Sequence, residues 1–538
     1  MRPASFQQFC ERYWKPLWAL FLIAFLVVIS GFSRRLFWYD ELFTLYLSDM
    51  SPARLWQALL AGVDQNSPLF YLLSGLTARL TPGIESGLRF PAVAGGVVAL
   101  TCVFLYVRQR CGVLWAWAAI WLLLASRAAY YMAEARPYGI MLGCTAGAFL
   151  AWQRRRFYWM TAALAIAALS HAYSLLIFIP LVLAELARRQ FDRRAWTSFA
   201  VALSAFLVYV PIRSGIHGTM AYSWAKPEIG KLPEAYLEYL GSATPLVIAI
   251  VLLLAVWLLL RPAHAASTAS LPGPHHESVA LAALMFLPVA GLALGKLTGI
   301  YAPRYTIESV IGLVIVFTLL LHRAVRGHAV FALLLSLSAI TWHVGGFLAT
   351  ALQPDQRSLP APVYESPRLA AAWDLLPYAE RSDLPLVVSS GLIFLEIDHY
   401  ATAQLAARTH VLLDEATAIE HTGVNVTEVG LPVMKKWFPI RASVDAYAQF
   451  TSANSHFLVY GYWESRTAND WLIYRLLREG ANVRVIARTD RFWREPAWTP
   501  AINDSRYLYL FEVTLPAAHL PSTENASITL PGAPPRLP

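Results

Sequence analysis

Apolar runs of membrane-spanning composition recur eleven times before residue 352 and then stop. They centre on residues 17–32, 86–107, 113–131, 137–152, 157–170, 172–187, 195–212, 244–260, 279–297, 306–322 and 329–350. A bilayer core about 30 Å thick takes roughly 20 residues of helix, with about 17 as a working minimum, so several of these runs are short. A further run, SPLFYLLSGLTARL at 67–80, is too short to span. Counting it as a crossing would also move the basic loop at Arg108 and Arg110 to the other side. It is therefore expected to lie in, or dip into, the outer interface, with a short tilted span as the alternative. The first run has the character of a signal peptide's apolar region, but it is long for one and is expected to remain as an anchor.

Basic residues collect on alternate connections. Arg12 and Lys15 precede the first run, and Arg108/Arg110, Arg154–Arg156, Arg188/Arg189/Arg193/Arg194 and Arg323/Arg326 follow later ones. Short basic loops stay in the cytoplasm, so all of these, with the N-terminus, are expected on that face. An odd number of spans then places the remainder of the chain outside.

After residue 352 the pattern changes. QPDQRSLPAPVYESP reads as a polar, proline-rich linker, and the later runs PLVVSSGLIF, HVLLD, HFLVYGY, NVRVIA and YLYLFEV read as strands. WLIYRLLREG reads as an amphipathic helix closed by glycine. The expected architecture is a polytopic α-helical membrane module, 1–352, with outer loops 33–85, 127–136 and 213–243, followed by an extracytoplasmic α/β domain, 353–538.

Composition supports this. The 538 residues are 57% hydrophobic and only 14% charged, with a formal net charge of +9. Soluble domains run near about 45–50% apolar and about 25% charged, so an ordinary soluble enzyme is excluded, as is a disordered chain. The arginines punctuate apolar runs instead of forming one basic face, which argues against nucleic acid. Cys10, Cys102, Cys111 and Cys144 form no CxxC, so neither a zinc site nor a disulfide framework is indicated. The His275-His276 pair sits in a low-complexity connection and reads as loop, and the sequons at Asn425 and Asn525 are matches by pattern alone.

Candidate chemistry gathers on the outer connections. Asp40 and Glu41 lie just beyond the first run in FWYDELF, and carboxylates near low dielectric need a partner or a metal unless they merely end a helix. The second connection, SRAAYYMAEARPYGIM, holds Glu134 and Arg136, which either neutralise each other or face an anionic ligand. His171 lies in SHAYS between two runs too short for two full crossings, which places that turn below the outer surface. Connection 213–243, with Lys226, is long enough to act as a lid. In GKLTGIYAPRYTIE, Tyr301, Arg304 and Tyr305 suit a lipid-linked phosphate, snorkelling of Arg304 being the alternative.

The order YDE, SPLFYLL, EARPYG, SHAYSLL, PRYTIE over residues 15–350 resembles the bacterial GT-C glycosyltransferases. The likeness is to the Rgt-type lipopolysaccharide-core transferases and, more distantly, to the lipid A aminoarabinose transferase and protein O-mannosyltransferases. The resemblance implies transfer of a sugar from a polyprenyl-phosphate donor to a lipid A/lipopolysaccharide core, another envelope glycan or a protein, at the outer face of the inner membrane. It makes Asp40 the residue that activates the acceptor or helps hold a divalent metal, with Glu41 its neighbour and Glu134 the second acidic position. Arg136 and Tyr138 fill the RPY positions, and Arg304 and Tyr305 the RY pair near the donor phosphate. The sequence departs from the pattern at Asn66-Ser67, where family members often have His or Lys before the proline, and at Phe70 in place of the first tyrosine. A flippase for a lipid-linked saccharide would instead need charges near the bilayer midplane, where this sequence has almost none. A membrane-anchored binding or sensor protein would need one span, not eleven.

Overall fold

The structure is a computed structural model, and residues 3–214, 222–259, 273–341, 376–462, 471–488 and 508–516 of it are described. The boundary near residue 352, the linker and the sequon at Asn525 lie outside the described residues. Helix occurs in each of the eleven apolar windows. By length and composition, Gln7–Phe32, Ile84–Cys111 and Arg193–Arg213 can each cross a membrane. The pairs Lys231–Leu240 with Thr244–Leu253 and His275–Met285 with Leu287–Thr298 reach that length only together, each bent at its break. Other windows hold shorter apolar helices such as Val113–Ala125 and Phe157–Ala168. At 1.5 Å per residue these fall short of a full crossing, so the count of eleven describes helical windows and not eleven full-length spans.

Close backbone contact locks the centre of the bundle. Helix Ile84–Cys111 packs on Tyr138–Gln153 through Ala92, Gly95, Gly139 and Gly143. A Cβ on Gly139 would fall 2.4 Å from the Ala92 carbonyl oxygen, and one on Gly143 would fall 2.4 Å from that of Gly95. Small residues at this spacing let helices approach without a hydrophobic drive from the lipid. The consequence is positional: the EARPY segment at the start of Tyr138–Gln153 is held directly beside the first outer connection.

The basic turns converge on one end of the bundle. Arg108 pairs with Glu11, Arg110 with Glu277, and Arg155 with Glu185 and Asp192. Arg155, Arg189 and Arg326 adopt left-handed backbone (φ 52 to 56°), each just past a helix C-terminus, where glycine is the usual occupant. The YDE, EARPYG and PRYTIE segments lie at the other end.

At that end, three short helices follow the first span: Tyr39–Ser48, Pro52–Leu60 and Pro68–Leu80. The 13-residue Pro68–Leu80 matches the run judged too short to span and packs beside Tyr39–Ser48 and Ile84–Cys111. Against this layer docks the C-terminal α/β domain. Its six strands, β1 (Leu386–Val388), β2 (Thr409–Leu413), β3 (Ser443–Ala446), β4 (His456–Tyr462), β5 (Asn482–Arg488) and β6 (Leu508–Thr514), form one sheet in the order β3-β2-β1-β4-β6-β5. β3, β2, β1 and β4 run parallel, and β6 is antiparallel to β4 and β5. Four strand assignments from sequence hold. PLVVSSGLIF is strand only to Val388, because its second half becomes helix Gly391–Tyr400, and β3 went unread because SVDA carries little apolar signal. WLIYRLLREG is a helix, Trp471–Arg478, with Gly480 at φ 75° beyond it.

Helix Gly391–Tyr400 joins the domain to the membrane module. The Phe37 N–H donates to Tyr400 Oη at 2.7 Å, the Tyr39 N–H to Glu396 Oε1 at 2.9 Å, and Tyr46 Oη is 2.9 Å from His399 Nδ1. Phe438 packs on Phe43 and Tyr46, closing an apolar core shared by both parts.

Candidate active site

A cavity of about 470 Å³ opens between the outer helices, the bundle and the C-terminal domain. Asp40, Asp64, Arg136, Tyr138, His171, Arg304 and Tyr305 line its polar part, and Val426, Gly430 and Met434 of helix Val426–Trp437 form part of its apolar wall. Six sequence-predicted residues therefore meet in one hollow, drawn from four separate connections.

Asp40 and Glu41 are adjacent on helix Tyr39–Ser48, and adjacent helical positions point about 100° apart. Asp40 faces the cavity, where its Oδ2 lies 3.2 Å from Arg304 Nη2. Glu41 turns inward and is 0% exposed. Its Oε1 accepts from Arg89 Nε at 2.7 Å and from the Ala135 N–H at 2.8 Å, and its Oε2 accepts from Arg89 Nη2 at 2.5 Å. Burial would raise this carboxyl's pKa, but Arg89 and then Arg35 hold it below the usual range. Arg89 spends its other protons on the Ser33, Arg35 and Leu36 carbonyls. The expectation that Glu41 takes part in the chemistry is corrected: its oxygens are committed to fixing the two loops that carry Asp40 and Arg136.

Arg136 reaches Asp64 Oδ2 with Nη1 at 3.1 Å and the Asp40 carbonyl at 3.4 Å. Asp64 was missed in the sequence. Gly62, at φ 80°, turns the chain toward it, and Tyr71 Oη donates to its Oδ2 at 2.7 Å. Against the cost of burial, Arg136 and the Tyr71 hydroxyl keep Asp64 below the ordinary carboxylate range. The signal available was an acidic residue in GVDQNSP, immediately before the SPLFYLL helix. In the departing Asn66-Ser67 pair, Asn66 Nδ2 donates to Asp64 Oδ1 at 3.1 Å and Ser67 Oγ to the Leu169 carbonyl at 2.6 Å.

Glu134 sits behind the cavity wall. Its Oε1 accepts from Trp38 Nε1 at 3.1 Å, while Oε2 is buried without a hydrogen-bond partner among the described residues. Burial and the neighbouring Glu41 push its pKa up to about 7, against the pull of Arg304. Arg304 also lies over the Trp224 ring at 5.2 Å, so connection 213–243 does contribute cavity wall, through Ser223, Trp224 and Ala225. Tyr305 lies 5.4 Å from His171 and 5.0 Å from Tyr173, ring centre to ring centre.

Two expectations fail. Lys226 does not line the cavity; its Nζ lies beside Gly423 of the C-terminal domain, while Trp224, two residues before it, borders the cavity. Tyr301 is fully buried, with Oη 3.1 Å from Thr306 Oγ1 and its ring against Gly291 and Gly295, so it packs the bundle. A metal held by Asp40 and Glu134 does not fit well either. Asp40 is paired with a guanidinium, Glu134 is half-committed to Trp38, and no group of three His, Cys, Asp or Glu suited to a metal occurs among the described residues.

No family model and no curated protein sequence matches the chain. The fold does match solved structures. The crystal structure of ArnT from Cupriavidus metallidurans in the apo state is similar over 95% of this chain and 100% of that one, with 14% identity and a TM-score of 0.51. ArnT from the same organism bound to undecaprenyl phosphate is similar over 92% and 97%, with 14% identity and a TM-score of 0.47. The chain therefore has the overall fold of the ArnT structure, a helical membrane bundle with a C-terminal α/β domain.

Proposed function

We propose that this protein is a membrane glycosyltransferase that moves a sugar from a polyprenyl-phosphate donor to a hydroxyl of an envelope glycolipid, glycan or protein. The reaction takes place at the outer face of the bacterial inner membrane, with the N-terminus cytoplasmic and the C-terminal domain outside. The observation that carries this reading is the Asp40–Arg304 pair inside a cavity that also presents Arg136.

The chemistry follows from charge. The acceptor oxygen attacks the anomeric carbon as the carbon–oxygen bond to phosphate breaks, and the electron pair leaves on the polyprenyl phosphate. Negative charge grows on the phosphate, so guanidinium groups fixed beside it stabilise the transition state more than the ground state. Arg304 and Arg136 supply this. The acceptor proton goes to Asp40, a general base of a kind typically worth about 10²–10⁴-fold. Direct displacement at one face inverts the anomeric centre. A phosphate that engages Arg304 also draws it from Asp40, so donor binding frees the base.

The test is transfer by the purified protein in proteoliposomes supplied with polyprenyl-phosphoryl sugars and envelope lipid acceptor, read by mass spectrometry. A new glycosyl product that needs the lipid-linked donor supports the reading, and movement of intact donor between leaflets without transfer would replace it with a flippase.

A further inference from the structure

His171 lies at the floor of the cavity, just before the turn Ala172–Ile177, and is only 6% exposed. Its Nδ1 lies 3.2 Å from the Tyr173 backbone N–H, which can only donate. Nδ1 is therefore the unprotonated nitrogen, and a neutral ring carries its proton on Nε2. Nε2 has no hydrogen-bond partner among the described residues, yet the ring lines the hollow. The rings of Tyr138, Tyr173 and Tyr305 pack near it, at 5.7, 6.1 and 5.4 Å between centres.

The charged groups that face His171 are Arg136 and Asp64 from the outer connections and Arg304 from the PRYT turn. Burial, then Arg136 and Arg304, push its pKa down to about 3, with Asp64 opposing. In the unliganded site, burial and the two guanidiniums disfavour the charged ring, so His171 stands there as a neutral N–H donor beside Arg136 and Arg304.

We infer that His171 Nε2–H is a hydrogen-bond donor to a phosphate oxygen of the ligand that Arg136 and Arg304 attract, acting as a neutral third arm of an anion site. The inference rests on the proposed lipid-phosphate reading and adds a residue to it. Neutrality has a use here. A third cation would bind the product phosphate tightly and slow its release, whereas an N–H adds direction without adding charge.

The experiment compares wild type with His171→Gln, which keeps an N–H donor, and His171→Phe, which keeps the ring shape without one. Binding of a polyprenyl phosphate, of inorganic phosphate and of uncharged polyprenol is measured on the full chain in nanodiscs, with thermal unfolding as the control for folding. The expected result is a loss of polyprenyl-phosphate affinity of about 10- to 100-fold in the Phe variant, largely restored in the Gln variant, with polyprenol binding unchanged. The ratio of wild-type to Gln affinity stays constant between about pH 5.5 and 8, because the ring has no charge to lose. Inorganic phosphate responding as the lipid does would make the phosphate alone the ligand, and a response of the lipid only would make the headgroup in its membrane setting the ligand; either supports the donor role. Equal lipid binding by wild type and the Phe variant overturns the inference while leaving the transferase reading intact. An affinity ratio that changes near pH 6–7 overturns it too, since it would make His171 a cation. Failure of wild type to bind any phosphate removes both.

Discussion

Asp40 Oδ2 stands 3.2 Å from Arg304 Nη2 although the two residues come from opposite ends of the membrane module. The first contributes the start of helix Tyr39–Ser48 and the second the PRYT turn before Ser309–Ala324. Their meeting places an acid able to accept a proton beside a cation able to hold phosphate, within one cavity.

Asp40→Asn removes the proposed base and leaves the shape. Transfer is expected to fall by about 10²–10⁴-fold with expression and thermal unfolding unchanged. Arg304→Ala is expected to act first on donor binding, and Arg304→Lys to recover only part of it, because Lys cannot offer the planar fork. Steady-state kinetics against donor concentration separate the two effects.

Glu41 behaves differently from its neighbour. Glu41→Gln leaves Arg89 buried and uncompensated, and removing one partner of a buried pair costs roughly 3–5 kcal/mol. The expected outcome is a large drop in melting temperature and in yield, measured in detergent. Residual folded protein should still bind donor, since no Glu41 oxygen reaches the cavity.

The Glu134 carboxyl, raised from its usual 4.5 to about 7, binds its proton more tightly folded than unfolded. Its contribution to stability is therefore full below about pH 4.5 and lost as the pH rises to about 7. Glu41 and Asp64, both held low, slope the other way, so the measurement is a difference. Glu134→Gln should gain melting temperature over wild type progressively from pH 4.5 to 7 and then hold that gain. A constant difference across that range would contradict the shift.

Gly430 lines the apolar wall from inside helix Val426–Trp437, and a Cβ there would meet nothing within 4 Å. Gly430→Ala should stabilise the protein by up to about 1 kcal/mol, the helix-propensity difference. Gly430→Trp should fold as well yet lower transfer, because the indole enters the space that substrate requires. Paired unfolding and activity assays distinguish bulk in the cavity from damage to the helix.

The membrane module was legible because apolar run length and arginine placement are local properties of the chain. Asp40, Arg136, His171, Arg304 and Tyr305 were legible because each is a polar residue at the edge of an apolar run, a costly place that needs a reason, whereas Tyr138 was reached only through the family resemblance. Arg89 was not, since its partner Glu41 lies 48 residues away and ESGLRFPAV looks like an ordinary helix start. Asp64 was hidden within a turn of polar residues where an acid is common. Lys226 and Tyr301 misled for the opposite reason: both neighbour true cavity residues, but which side chain of a bent connection faces inward is settled by packing. The role of helix Val426–Trp437 in the wall depends on how the C-terminal domain docks, which no local pattern encodes.

Asp40 on Arg304 and Asp64 on Arg136 give the hollow its own tethered counterions. Chloride, sulfate or stray phosphate must displace a carboxylate whose effective concentration no freely diffusing ion matches. A prenylated headgroup arrives differently, already concentrated at the surface by its tail and delivered sideways. On the proposed transferase reading, the two bridges would make small free anions poorer competitors than a headgroup delivered from the membrane.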